Sequence, residues 1–488
     1  MNITPKLIAV PGRVLASPNV KYGRTKVVQP RSVSWNLQSV EFITKAELSK
    51  WTYLRISLNN ARQAWPNDTE FENSLKGLSA MLRGLGMSAQ NHMPGQHIWV
   101  EEGDVESEID EAIHRFATHR NRPQLIFAII PSQVSTVATA AYNRVKLACD
   151  VKKGIVNVCV LDSKFARANE QYYANVALKF NLKLGGRNHT VDPSKLGLLQ
   201  EGKTMVVGID VTHPSPGSAS NAPSVAGIVA SVDWWLAQWP ADLRIQPPLT
   251  ETVEGLDVLL KSRLQLWRKY NNGQLPENIL VYRDGVSEGE YNMILEKELP
   301  LLRKACAALY PATATKQEKP NISIIVVGKR HNTRFYPTKK QEADRSWNPQ
   351  NGTVVDRGVT EARNWDFFLQ AHTAIQGTAR PAHYYVVYDQ IFRDRRLQAP
   401  FRSAADALED LTHNMCYLFG RATKAVSVCP PAYYADLVCE RARRYLSSVF
   451  EPSPLASPTE STAGGSVAGT DQSELTIHSN VCNTMFYT

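Results

Sequence analysis

Apolar runs rich in Val, Ile and Leu recur along this chain, and they alternate with stretches of helical periodicity. "YLRISL" (53–58) and "LIFAII" (125–130) are apolar almost throughout, whereas "EFENSLKGLSAMLRGLG" and "EIDEAIHRFATH" place apolar residues three and four apart. A strand with no polar face is buried on both sides, and strands that alternate with helices pair in parallel through helical crossovers. The pattern predicts an α/β fold for residues 43–183. A second series follows in residues 184–488. Its expected strands are "TMVVGIDV", "APSVAGIVASVD", "NILVYRDG", "NISIIVVGK" and "AHYYVVYD", and its expected helices lie near 252–271, 288–309, 404–419 and 431–448. Residues 1–42, rich in Pro, Arg and Val, read as an extended linker. Residues 451–474 are dominated by Ser, Pro, Gly and Thr and read as a disordered insertion, before the apolar "NTMFYT" docks back.

With 488 residues, 43% hydrophobic and 21% charged, the chain can build two or three cored domains and is not disordered as a whole. Its net charge of +9 favours a polyanionic partner. The seven cysteines contain no C-x-x-C pair, which argues against a zinc module or a disulfide framework and for a reducing, cytoplasmic setting. No apolar run of membrane-spanning length and no signal segment is evident, so a soluble protein is expected.

One motif is discounted. "GLLQEGKT" (197–204) matches the letters of a phosphate-binding loop, but that loop needs a strand before it and a helix after it. Here the strand "MVVGIDV" comes after.

The acids are more informative. "MVVGIDVTHP" and "ILVYRDG" are both apolar strands that carry an aspartate near their ends, Asp210 and Asp284. An acid at the end of a buried strand is costly unless it is paired or holds a cation. Either one alone reads more readily as a turn residue, beside Pro214 or Gly285. Two such strands side by side would bring both acids together, and hard oxygen donors select Mg²⁺ or Mn²⁺. In "ALKFNLKLGG", Lys179 and Lys183 stand four apart on one helical face and could form an anion site.

"GIDVTHP", "YRDGVSEGEY", "VVGKRHNTRFYP" and "PPAYYADLVCERARRY", in that order, resemble the PIWI domain of eukaryotic Argonaute proteins. "NLKLGG" resembles the end of their MID domain, and "GRVLASPNVKYG" the L2-like linker before it. The resemblance implies a Rossmann-like MID domain (43–183) followed by an RNase H-like PIWI domain (184–488), with the family's N-terminal and PAZ domains absent. It also implies small-RNA-guided silencing: the chain would hold a guide RNA by its 5′ phosphate and cut complementary target RNA with two Mg²⁺ (or Mn²⁺) ions. The catalytic set carried over is Asp210, Glu251, Asp284 and Asp436, with Asp210, Asp284 and Asp436 as metal ligands. Glu254 rivals Glu251, which is preferred on the alignment of the helix that follows. For the 5′ phosphate the resemblance implies Tyr142, Lys146, Lys179, Lys183 and Arg441. For the guide backbone it implies Lys329, Arg330, Arg334, Arg421, Ser427 and Tyr433.

One departure concerns the 5′ site: where the family commonly has Gln before Cys159, this chain has Val158, with Asn157 as the substitute. The loop Pro131–Thr136 occupies the place where these proteins sense the first base. Expected partners are the 5′-phosphorylated guide, the target RNA and silencing proteins, the chain acting as a monomer away from membranes. Two alternatives stay open: a guide-binding module that recruits partners without cutting, and an unguided RNase H-like nuclease.

Overall fold

The computed structural model describes residues 7–219, 222–396, 399–450 and 475–488. The insertion expected at 451–474 lies outside the described residues. Among them no helix is long and apolar enough to cross a membrane.

The first α/β unit is a four-stranded, wholly parallel sheet of β1 (Trp51–Leu58), β2 (Gln96–Val100), β3 (Leu125–Ile130) and β4 (Val156–Leu161), in the order β2-β1-β3-β4. The helices α1 (Asp68–Gly84), α2 (Val105–Thr118), α3 (Ser135–Lys146) and α4 (Glu170–Lys183) cover it. The uninterrupted "LIFAII" has its reason here. Ile126 and Ala128 pack with Ile109, Ile113 and Val145 on one face, while Phe127 and Ile129 pack with Leu78 and Phe180 on the other. Each such burial stabilises the fold by about 2 kcal/mol. Asn67 starts α1 by accepting the Glu70 N–H at 2.9 Å, and Asn169 does the same for Tyr172 at the start of α4.

The second unit is built on a nine-stranded mixed sheet. Its named strands are β5 (Thr204–Thr212), β6 (Ser224–Ala230), β7 (Ala241–Gln246), β8 (Asn278–Asp284), β9 (Asn321–Gly328), β10 (Thr353–Val355), β11 (Trp365–Gln370) and β12 (Ala382–Asp389). The order runs from Arg13–Val14 through β10, β11, β12, β9, β8, β5 and β6 to β7, with β5, β8 and β9 parallel at the centre. Helix α5 (Leu256–Tyr270) packs on one face through Leu260 and Leu264. Helix α8 (Pro430–Tyr445) crosses the other through Tyr434 and Val438. Two further helices, α6 (Leu299–Ala307) and α7 (Ala404–Met415), complete the layers.

The single helix expected over 288–309 is broken: a 3₁₀ turn at Glu288–Glu290 and a π-helical turn at Ile294–Glu298 precede α6. Pro300 has no N–H to continue an α-helical ladder, and the widened turn aims Glu298, 1% exposed, at buried Arg283. The run at 197–204 is a kinked 3₁₀ segment, Pro193–Glu201, leading into β5, the reverse of a phosphate loop. The N-terminal stretch is extended and tightly docked. Arg13 and Val14 pair with Val354 and Thr353, and Val20, Tyr22, Trp35 and Phe42 are buried in the largest core cluster.

Candidate functional site

Strands β5 and β8 run parallel in direct contact, with Ile209 opposite Arg283, so Asp210 and Asp284 leave the sheet at the same end. Asp436 arrives on α8. That helix comes close because glycine faces it: a Cβ on Gly208 would lie 1.9 Å from the Pro431 carbonyl oxygen, and one on Gly227, paired with Asp210, 2.9 Å from the Cys439 sulfur. Glu251 precedes α5 and is fixed on two sides, by His213 Nε2 at 2.6 Å and by Arg283 Nη2 at 3.2 Å. Gly285 at φ +87° turns the chain away from the cluster; a Cβ there would lie 3.2 Å from Asp210 Oδ1 and 3.8 Å from Glu251 Oε1. Glu251 therefore stands with the aspartates. Glu254 is exposed, and its N–H bonds the Gln246 side chain instead.

The electrostatics carry the signature of acids crowded together. Burial pushes the Asp284 carboxyl up to about 8, with Asp210 and Asp436 adding to the rise. Burial, then Asp210 and Glu440, push Asp436 up to about 7 against the opposing charge of Arg330. Asp210 is also raised, by burial and Glu251, against the pull of Arg283. Among the described residues no three His, Cys, Asp or Glu side chains already form a metal-holding group. The donor chemistry nonetheless fits a hard divalent cation, since it consists of carboxylates whose mutual repulsion a cation would relieve. Sequence reasoning missed Arg283, Glu298 and His213 as supports. Arg283 and His213 lie inside the two quoted motifs, whereas Glu298 carries no local signal.

A second site lies where α8 meets the first unit. A cavity of about 420 Å³ is lined by Tyr142, Cys159, Arg421, Arg441 and Tyr487, among others. Tyr142 and Lys146, one helical turn apart on α3, stack as a cation–π pair at 5.3 Å, and Arg441 Nη2 donates to the Tyr142 hydroxyl at 3.2 Å. Burial, then Arg421 and Lys146, depress Lys179 to about 8. Burial and its cationic neighbours take buried Lys183 well below the usual lysine range, while its Nζ donates to the Phe486 carbonyl at 2.7 Å. Tyr142 is lowered despite burial because Arg441 and Lys146 favour its ionised form. Lys146, Lys179 and Lys183 do not line the void themselves: its charged lining is Arg421, Arg441 and Arg444 with Glu440, and the lysines add to its positive potential from nearby.

Buried Asp150 partly balances that charge, accepting from Asn157 (2.7 Å), Tyr445 (2.8 Å) and Arg441 (3.1 Å). Asn157 also accepts from Lys146 Nζ, whereas Val158 faces the core. The loop Pro131–Thr136 is tied through Gln133 to Asp162 and Arg62, and Ala138 and Thr139 of α3 line the cavity.

The residues expected along the guide backbone divide. Lys329 bonds Ser427 and feels Asp284, and Arg330 acts on Asp436, so these three border the acids. Arg421 lines the cavity, Tyr433 is 38% exposed against Phe419, and Arg334 bonds the carbonyls of His331 and Thr333. Arg380 and His372, which the sequence did not flag, share the electrostatic surroundings of Lys329.

Adjacent parallel strands ending in acids, a crossing helix that supplies another and a large mixed sheet are the architecture of an RNase H-like domain. The chain belongs to the Piwi-domain family, which matches residues 125–447. More particularly, it corresponds to the MID–PIWI lobe of eukaryotic Argonaute proteins. It is 34% identical over 513 residues to protein argonaute 5 of Arabidopsis thaliana, covering all of this chain and 48% of that protein. Its fold is similar to Kluyveromyces polysporus Argonaute with a guide RNA, at TM-score 0.81 and 27% identity over 99% of this chain and 57% of the other. It is likewise similar to the MID–PIWI domains of N. crassa QDE-2, at TM-score 0.62 and 32% identity over 91% and 98% of the two chains. The chain spans about half the length of the curated relatives it matches.

Proposed function

We propose that this chain acts in small-RNA-guided silencing in the cytoplasm, holding the 5′-phosphate end of a guide RNA in the cationic cavity and cleaving complementary target RNA at the carboxylate cluster. The observation that supports the reading is that neighbouring parallel strands β5 and β8 carry Asp210 and Asp284 to the same end of the sheet, where α8, which bears Asp436, crosses in close contact at Gly208 and Gly227.

Asp210, Glu251, Asp284 and Asp436 are the residues that would hold two Mg²⁺ or Mn²⁺ ions. When bound, such ions lower the pKa of water and stabilise charge on a leaving oxygen. The chain's own contribution is positioning. Arg283, fully buried between Glu298 and Glu251, fixes the Glu251 backbone carbonyl at 2.7 Å and its carboxylate at 3.2 Å. His213, bonded at its other nitrogen to Ser224 Oγ at 2.8 Å, holds the second carboxylate oxygen. Lys329, bonded to Ser427, lies within the electrostatic reach of Asp284, where a phosphate of the guide backbone would be anchored without any reading of sequence. In the cavity, Tyr142 offers a ring for the first base and Arg441 charge for the phosphate, while Lys146, Lys179 and Lys183, outside its lining, add positive potential from nearby.

A second reading is a guide-binding module that recruits partners and does not cut. One assay separates the two: a 5′-phosphorylated guide, a complementary RNA and Mg²⁺, with wild type and Asp210→Ala compared. The cleaving reading expects product from wild type, none from Asp210→Ala, and equal guide affinity. Guide binding without cleavage in wild type selects the second reading, and no guide binding overturns both.

A further inference from the structure

Trp347 is a large aromatic residue placed where neither packing nor backbone preference favours it. Its side chain is 61% exposed, and its φ is +60°, a left-handed conformation that is costly for a bulky residue. Val33 and Leu236 share positive φ but are buried, so packing compensates them. The turn that presents Trp347 is built to keep its shape. Asp344 Oδ1 accepts the N–H groups of Ser346 (2.8 Å) and Asn348 (2.9 Å), and the Asp344 carbonyl accepts that of Trp347 at 3.1 Å. Buried Asn348 then clamps the turn to the loop carrying Ile375 and Arg380, accepting from Ala379 N at 2.8 Å and donating to the Gly377 carbonyl at 3.1 Å.

The segment that ends in this turn is cationic. From Lys329 to Trp347 the chain carries six Lys or Arg and two acids, Glu342 and Asp344. Of these acids, Asp344 is engaged in the turn and Glu342 lies 3.8 Å from Lys339. The clamped loop leads back to the carboxylate cluster, because Arg380 shares the surroundings of Lys329, which feels Asp284. An exposed ring set among cations fits a nucleic-acid strand better than an apolar protein face.

We propose that Trp347 is an RNA contact of this chain, stacking on a base of the target strand while Arg345 and Arg380 meet its phosphates. The assignment rests on the guided reading above: the row at Lys329 and Ser427 belongs to the guide, and the strand that reaches the more exposed turn is the target.

Trp347→Gly separates the roles, because glycine adopts positive φ freely and removes the ring. The experiment measures melting temperature, affinity for a 5′-phosphorylated guide, and affinity of the guide-loaded chain for a complementary RNA in EDTA. The expected result is an unchanged or higher melting temperature, unchanged guide affinity and target affinity about tenfold weaker, with Trp347→Phe retaining most of it. Unchanged target affinity in Trp347→Gly overturns the inference. An equal loss of guide and target affinity overturns the choice of strand. Failure of wild type to bind the guide overturns the reading on which the inference rests, and the inference with it.

Discussion

Gly208 is the position where one methyl group should disturb both proposed sites together. It lies on β5 two residues before Asp210, and a Cβ there would sit 1.9 Å from the backbone oxygen of Pro431 in the first turn of α8. Bringing that contact out to the 3.0 Å limit requires strand and helix to part by 1.1 Å, and neither atom belongs to a flexible side chain. Overpacking of this kind costs about 1–3 kcal/mol, and a backbone-on-backbone clash belongs at or above the top of that range. For Gly208→Ala in a unit of this size this corresponds to a fall in melting temperature of roughly 3–5 °C. The catalytic consequence is larger, because α8 carries Asp436 toward the carboxylates and Arg441 toward the cavity. A misplacement of about 1 Å costs on the order of a hundredfold in rate. Thermal denaturation and single-turnover cleavage with a saturating guide measure the two effects. Gly227→Ala serves as the comparison: its Cβ would meet the Cys439 sulfur at 2.9 Å, a side chain that can turn aside, so its losses should be smaller. A Gly208→Ala protein with the wild-type melting temperature and rate would refute the reasoning that close contact with β5 sets the position of α8.

Two further outcomes follow from the charges. The carboxyls of Asp284 and Asp436, raised to about 8 and 7, favour their protonated forms in the fold, so without divalent cations their contribution to stability is complete below the usual carboxylate range and lost as pH rises through 7 to 8. In EDTA the melting temperature should therefore drop between pH 6 and 9, less so in Asp284→Asn, and Mg²⁺ should restore it; a pH-independent melting temperature would contradict the crowding of the acids. Lys179, depressed to about 8, loses its charge as pH rises through that value, so the preference for 5′-phosphorylated over 5′-hydroxyl guide should shrink between pH 7 and 9, and Lys183→Ala should reduce the same preference at pH 7. Equal loss for both guides would remove the lysines from phosphate recognition.

Much of the molecule was legible locally. Period and length fixed β1, β3, β5, β8, β9 and β12 within a few residues, because a strand buried on both faces must be apolar along its length. The acids at the ends of β5 and β8 could be singled out for the same reason: they interrupt an otherwise uniform pattern. The helix expected over 288–309 is interrupted by a π-helical turn from which Glu298 pairs with Arg283, a partner outside the segment.

What the chain alone determined is a series of strands and helices, two strand-end acids and two lysines sharing a helical face. Tertiary structure decided that β5 and β8 are neighbours, that Glu251 rather than Glu254 stands near Asp210, that Arg421 lines the cavity, and that one helix, α8, carries Asp436 to the strand ends and Arg441 to the cavity. Propensity and periodicity act between residues a few positions apart, whereas charge clustering and close backbone contact depend on distance in space, which only the packed chain defines.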